Sequence, residues 1–190
     1  TATVVGHDAD ADVALLRLDD ASGLATITPD DDALAVGDSL TAVGNAQGGG
    51  RLVAATGAVT ALDQQVTVSG ADGSPETLTG VIQTDAAAQP GDSGGPMFDA
   101  EGEVAGMTTA GSQTVTAGRR GRSLPVTTVS YAVPIETALG VVEQIRTGQD
   151  RGTTEVGPRA YLGITVTGTS GLTVGSAVAD GPAANAGLTA

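Results

Sequence analysis

The hexapeptide Gly91-Asp92-Ser93-Gly94-Gly95-Pro96 concentrates the chemistry of this sequence. Acyl transfer to a serine needs an exposed hydroxyl and backbone N–H groups aimed at the oxygen that becomes negative in the tetrahedral intermediate. Glycines around the serine let the chain turn tightly enough for two amides to converge, because no Cβ obstructs the approach. Ser93 is the expected nucleophile. The stretch Gly91, Asp92, Ser93 is the expected oxyanion hole, with the amides of Gly91 and Ser93 as its donors. Such a serine works with a general base and a carboxylate that orients it. The chain has one histidine, His7, in the context Gly6-His7-Asp8-Ala9-Asp10, which reads as an exposed turn. Asp8, Asp10 and Asp12 follow closely, and by residue type alone each serves as well in a turn as in catalysis.

The segments that must position these residues are short and apolar, separated by Gly, Asp, Ser and Pro clusters, the pattern of an all-β protein with tight turns. Strands are expected at Ala2–Gly6, Val13–Leu18, Ser39–Val43, Leu52–Leu62, Leu78–Gln83 and Thr128–Val133, with a hairpin over Pro96–Thr109 turning at Asp99-Ala100-Glu101-Gly102. The run Val13-Ala14-Leu15-Leu16-Arg17-Leu18 reads as a strand covered on both faces. The strands fall into a first zone to about Val68 and a second from about Glu76 to Arg146. Pro134 opens the one convincing helix, with Ile135, Leu139, Val142 and Ile145 on one face and Gly148 placed to stop it. A polar linker, 149–159, follows. The last thirty or so residues are too few to bury a core alone and read as the start of a second domain.

Composition narrows the setting. With 40% hydrophobic but only 2% aromatic residues, the core is built from Val, Leu, Ile and Ala. Asp and Glu total 22 against 8 basic residues, a formal charge of −14, which repels phosphate backbones and argues against nucleic acid as a partner. The absence of cysteine excludes disulfides and thiolate metal sites but not an oxidising compartment. No apolar run reaches bilayer-spanning length and no signal peptide is present. Both ends read as cut, the first inside a strand at Thr1-Ala2-Thr3-Val4-Val5.

The segment Ile82-Gln83-Thr84-Asp85-Ala86-Ala87-Ala88-Gln89-Pro90-Gly91-Asp92-Ser93-Gly94-Gly95-Pro96 resembles the nucleophile loop of the HtrA (Deg) serine proteases. Val4-Val5-Gly6 with Asp12-Val13-Ala14-Leu15-Leu16 is similar to that family's catalytic-aspartate strand. Ala42-Val43-Gly44-Asn45, Gly57-Ala58-Val59-Thr60-Ala61 and Ser130-Tyr131-Ala132-Val133-Pro134-Ile135 match its later strands in order and spacing. The resemblance implies a chymotrypsin-like double β-barrel, its first barrel incomplete here, with a C-terminal helix. It makes Asp12 the orienting carboxylate, and it places the catalytic histidine some tens of residues upstream, so His7 is an incidental surface residue. Asp92 stands where many HtrA proteins carry Asn. It reads as a residue that fits the loop, or as a carboxylate that binds a new N-terminal amine as in trypsin-like zymogens.

Ala87 lies where trypsin-like enzymes place an acidic residue at the base of the primary pocket. With Thr109, Ala110 and Gly111 as the pocket wall, small or medium aliphatic side chains are the expected specificity. Tyr161, Leu162, Gly163 and Ile164 resemble the carboxylate-binding loop of a PDZ domain, and Gly181-Pro182-Ala183-Ala184 its later helix start. The expected organisation is a protease domain over 1–148, the linker, and the start of a PDZ domain over 160–190. The implied activity is serine endopeptidase hydrolysis of unfolded or misfolded extracytoplasmic polypeptides through an acyl-enzyme, without metal or other cofactor. The alternative is an inactive protease-fold or PDZ peptide-binding scaffold. Membrane anchoring and homo-oligomer formation of the longer protein stay open.

Overall fold

The computed structural model describes residues 1–69, 75–109, 113–115, 127–148, 150–157, 162–167, 173–179 and 181–188. They form two compact units, Thr1–Val156 and Gly157–Ala190. Ala110, Gly111 and Tyr161 lie outside the described residues.

The first unit opens with an antiparallel hairpin, β1 (Ala2–Asp8) and β2 (Val13–Leu18), in which Asp8 faces Val13 across a four-residue turn. Then come β3 (Ser39–Gly44), β4 (Val53–Ser69), β5 (Pro75–Thr84), β6 (Pro96–Phe98), β7 (Val104–Thr108), β8 (Gln113–Val115) and β9 (Thr127–Pro134). Neighbours pair in the order β5-β4-β3-β6-β7-β9, and an additional β5–β9 pairing closes these six into a barrel. Closure leaves no exposed edge among them. The 17-residue β4 follows the curve because its register with β5 shifts three times, each irregularity adding local bend. Leu40, Ala42, Val59, Ile82, Met97, Ala105 and Ala132 fill the interior. The core is aliphatic, as the composition requires.

Outside the barrel, helix α1 (Ile135–Arg146) follows β9 directly, and β10 (Thr154–Val156) adds to the opening hairpin to give a three-stranded sheet, β10-β1-β2. The all-β class therefore holds, with one closed barrel and an open sheet where the incomplete barrel was expected. Val13 from the sheet packs with Val133, Ala138, Val141 and Ile145, beside Val5, Leu15 and Val156.

Four expectations change here. The zone division near Val68 falls inside the barrel, because β4 and β5 pair from Val59↔Thr84 to Ser69↔Pro75. The strand β2 is not covered on both faces: it lies at the sheet's edge, and Leu16 and Leu18 are half exposed. The helix turns Ala138, Val141 and Ile145 inward while Leu139 is exposed, since alanine lets the helix approach more closely than leucine would. Residues 154–156 of the supposed linker are a strand bonded to β1. In the second unit, β11 (Ile164–Thr167) and β12 (Thr173–Ala177) form a hairpin, and the short α2 (Pro182–Asn185) starts with proline at its first position, where a missing N–H costs nothing. No helix among the described residues is long and apolar enough to cross a membrane.

Candidate active site

Ser93 lies in the connection between β5 and β6 and is exposed. Two bonds to the end of β7 hold its downstream side: Gly94 donates its N–H to Thr108 O (2.7 Å) and Thr108 donates to Gly95 O (2.8 Å). Upstream, Asp92 is buried and exchanges bonds with Gln89, its N–H donating to Gln89 O (2.9 Å) while its Oδ2 accepts the Gln89 N–H (2.8 Å). The amide of Asp92 is thus committed, which removes it from the expected oxyanion hole. Among the described residues, the flanking amides of Gly91 and Ser93 donate to no carbonyl. This alternation of free, engaged and free amides is what two-donor stabilisation of an oxyanion requires.

Gly91 has φ +101°, and a Cβ there would stand 2.5 Å from Asn45 O. Only glycine fits. The backing segment is itself tied in, with Gln47 N–H donating to Pro90 O (2.6 Å). Asp92 Oδ1, which lies against Gly44, is buried without a hydrogen-bond partner among the described residues, as is Thr108 Oγ1.

Asp12 ends the β1–β2 turn with φ +54° and is exposed, not buried as a triad carboxylate is expected to be. Its Oδ2 accepts the hydroxyl of Thr109 in a short bond, and Thr109 is itself buried, its N–H donating to Tyr131 O (3.0 Å). Thr108 holds the nucleophile loop and Thr109 holds Asp12, so two consecutive residues at the end of β7 engage both segments that carry the predicted catalytic residues. Ala87 is exposed between the buried Ala86 and Ala88, and Ser130 Oγ donates to Ala86 O (2.7 Å).

His7 is elsewhere. It lies within β1 opposite Ala14 and Glu155, not in a turn, and its Nε2 is 3.8 Å from Glu155 Oε2. Its neighbour Asp8 is a carboxylate whose importance the sequence did not reveal. It is buried, and it accepts bonds from Thr154 Oγ1 (2.7 Å), Thr153 Oγ1 (2.9 Å) and the Ala11 N–H (3.1 Å). Burial pushes its carboxyl up, but the bonds from Thr154, Thr153 and the amides of Ala11 and Asp10 outweigh that and hold it below its ordinary 3.8. Spacing could not single out Asp8, because its partners lie some 145 residues away in sequence.

Elsewhere, Asp30, Asp99 and Glu103 bring carboxylate oxygens within 4.8 Å of one another, as do Asp30, Asp31 and Asp32. Partial burial, then crowding by Asp31, Asp99, Asp30 and Asp32, pushes the Glu103 carboxyl up. A cavity of about 840 Å³ lies alongside, lined by Asp30, Leu34, Leu62, Ile82, Ala105 and Ile135 among others, and none of the predicted site residues borders it. In the second unit, Leu162 and Gly163 carbonyls accept the amides of Ala183 (3.0 Å) and Val178 (2.8 Å), and Ile164 begins β11.

The family "Trypsin-like peptidase domain" matches residues 1–107. Serine protease PepD of Mycobacterium tuberculosis is 34% identical over 191 residues, covering 98% of this chain and 39% of that protein. A probable periplasmic serine endoprotease, DegP-like, of Halomonas elongata is 36% identical over 146 residues, 76% of this chain and 27% of its own length. Among solved structures, the HtrA-type protease AlgW with decapeptide superposes with a TM-score of 0.59 at 31% identity, covering 98% of this chain and 55% of that one. The chain therefore spans about half or less of the relatives it matches. On the family match over residues 1–107 and these relatives, the chain belongs to the trypsin-like peptidase family, within which it is HtrA-like.

Proposed function

We propose that this chain is the catalytic body of a serine endopeptidase that cleaves peptide bonds through an acyl-enzyme on Ser93. The observation that carries the reading is the exposed Ser93 whose own amide and that of Gly91 are unengaged, with the intervening Asp92 amide tied back. Ser93 Oγ attacks the scissile carbonyl, and the N–H groups of Gly91 and Ser93 take the resulting oxyanion. A donor of this kind is typically worth about 10²–10³ in kcat. The serine proton passes to an imidazole and from there to the leaving amine, and water then releases the acyl group. Asp12 orients that imidazole and stabilises its charged form.

His7 is not that base, because its strand pairing turns it to Glu155. The imidazole is supplied from outside these 190 residues. Ala87 with Thr109, Ala110 and Gly111 accommodates small aliphatic side chains. The DegP-like relative named as periplasmic supports a place of action outside the cytoplasm, and unfolded or misfolded polypeptides are the substrates proposed there. The hairpin β11–β12 and the proline-led α2 support reading residues 160–190 as the start of a PDZ domain, with Tyr161, Leu162, Gly163 and Ile164 toward a peptide carboxylate.

The test is fluorophosphonate labelling of the protein expressed from its complete gene. Stoichiometric labelling at Ser93, lost in Ser93→Ala, is expected. A well-folded protein that hydrolyses no unfolded polypeptide and does not label under conditions that label a control protease overturns the reading in favour of a peptide-binding scaffold.

A further inference from the structure

We propose that Asp8 is a positioning residue for Asp12, so that the placement of β10 sets the orientation of the catalytic carboxylate; this rests on the proteolytic reading above. Asp8 closes β1 and is only 7% exposed, a degree of burial that an aspartate almost never reaches unless it is paired. Its bonds run in two directions. One enters the turn that carries Asp12: Oδ1 accepts the N–H of Ala11 (3.1 Å), while the N–H of Asp12 donates to Ala9 O (3.3 Å). Asp12 adopts φ +54°, a left-handed conformation that aspartate enters more readily than most residues with a Cβ and that a local hold fixes in place. The bond from Ala11 to Asp8, one residue before Asp12, is such a hold.

The other direction leads to β10. Thr153 Oγ1 donates to both Asp8 oxygens (2.9 and 3.1 Å) and Thr154 Oγ1 donates to Oδ2 (2.7 Å). Thr154 Oγ1 also stands 2.9 Å from Gln144 Oε1 of α1. A threonine hydroxyl has one proton, and here the carboxylate takes it. Turning the Gln144 amide end for end lets its NH₂ donate to the same oxygen, so helix, strand and turn share one network. The charge makes these bonds stronger than neutral ones. Neither Thr153 nor Thr154 touches the nucleophile loop in any hydrogen bond described, so their route to the chemistry is through Asp8, the turn and Asp12, which Thr109 then engages. β10 ends at Val156, the last residue before the second unit begins. Whatever displaces that strand acts on the active-site carboxylate by this path.

The experiment uses the protein from its complete gene, with active sites counted by fluorophosphonate and kcat and KM measured on a peptide substrate. Asp8→Asn and Thr154→Val are expected to lower kcat per labelled site by ~10-fold or more, short of the ~10⁴-fold that follows from disabling the orienting carboxylate itself. KM should change by less than about two-fold, because the orienting role acts in the transition state. Thr154→Ser restores the hydroxyl and with it the rate. Leu34→Ala, packed against the barrel core and lining the cavity that no predicted site residue borders, serves as a control that lowers stability and leaves kcat unchanged. Wild-type kcat in both Asp8→Asn and Thr154→Val, or an equal loss in Leu34→Ala, overturns the inference alone. A wild-type protein that fails to label at Ser93 overturns the proteolytic reading, and the inference falls with it.

Discussion

At Gly44 the active site depends on a residue with no chemistry of its own. A Cβ there would lie 2.5 Å from both Cα and Oδ1 of Asp92, so even alanine must push the nucleophile loop away from β3. Gly44→Ala is expected to leave the barrel folded at a cost of about 1–3 kcal/mol. It should slow Ser93 labelling by up to ~10²-fold, the penalty of roughly 1 Å of misplacement; labelling at the wild-type rate would show that the loop can yield. Asp8 yields a second residue-scale prediction, in acid stability. Its folded carboxyl is held below 3.8, the unfolded value, so its stabilisation is complete above that value and disappears as the pH falls through the lower folded one. Hydrogen bonds to a charged group contribute ~1.5–3 kcal/mol. Asp8→Asn should therefore unfold more easily near neutrality by about that amount, and urea midpoints for the two proteins should converge as the pH falls below 3.8. A difference that stays constant to the lowest pH would mean the charge is not what Asp8 contributes. Ser93 and Gly91 were legible because a hexapeptide states its own local geometry. Asp8 and Gly44 were not, since what defines them is a contact with residues remote in the chain.

The elements show the same division between local and remote causes. Pro134 and Gly148 mark the helix ends, and α1 indeed runs Ile135–Arg146. Its buried face was harder to read, because Ile135, Ala138, Leu139, Val141, Val142 and Ile145 spread apolar residues around most of the circumference. Weighting by size favours Leu139, but packing against β1, β2 and β9 favours the small Ala138. Ala138→Leu should then cost about 1–3 kcal/mol by overpacking, while Leu139→Ala, on the exposed side, should stay within ~0.5 kcal/mol. Equal effects in thermal unfolding would mean that the helix turns its other face inward. The strands were placed well wherever alternation or a turn cluster bounds them: Val13–Leu18 has the bounds expected. β10 was missed because Thr154-Glu155-Val156 has no pattern of its own. It is a strand only because β1 offers an unpaired edge and Asp8 receives the two threonine hydroxyls.

For the molecule as a whole, that missed strand decides where the first unit ends. The linker expected over 149–159 would let the protease body stop at Gly148. The observed division after Val156 says instead that the body includes β10. The difference is large enough to measure. Stopping at Gly148 removes both hydroxyl donors to Asp8, leaves a buried carboxylate with only turn amides, takes Val156 from the cluster around Val13 and Ile145, and opens the edge of β1. Losing partners of a buried charge costs about 1–3 kcal/mol or more, and the valine adds ~1 kcal/mol for its partial burial. In the protein from the complete gene, a stop after Gly157 should leave the denaturant midpoint of the catalytic body close to that of the longer protein. A stop after Gly148 should lower its stability by at least about 2 kcal/mol and, through Asp12, reduce the rate of Ser93 labelling more than the fraction unfolded accounts for. Equal stability for the two truncations would place the end of the folded body at α1 and make β10 an ornament of the linker.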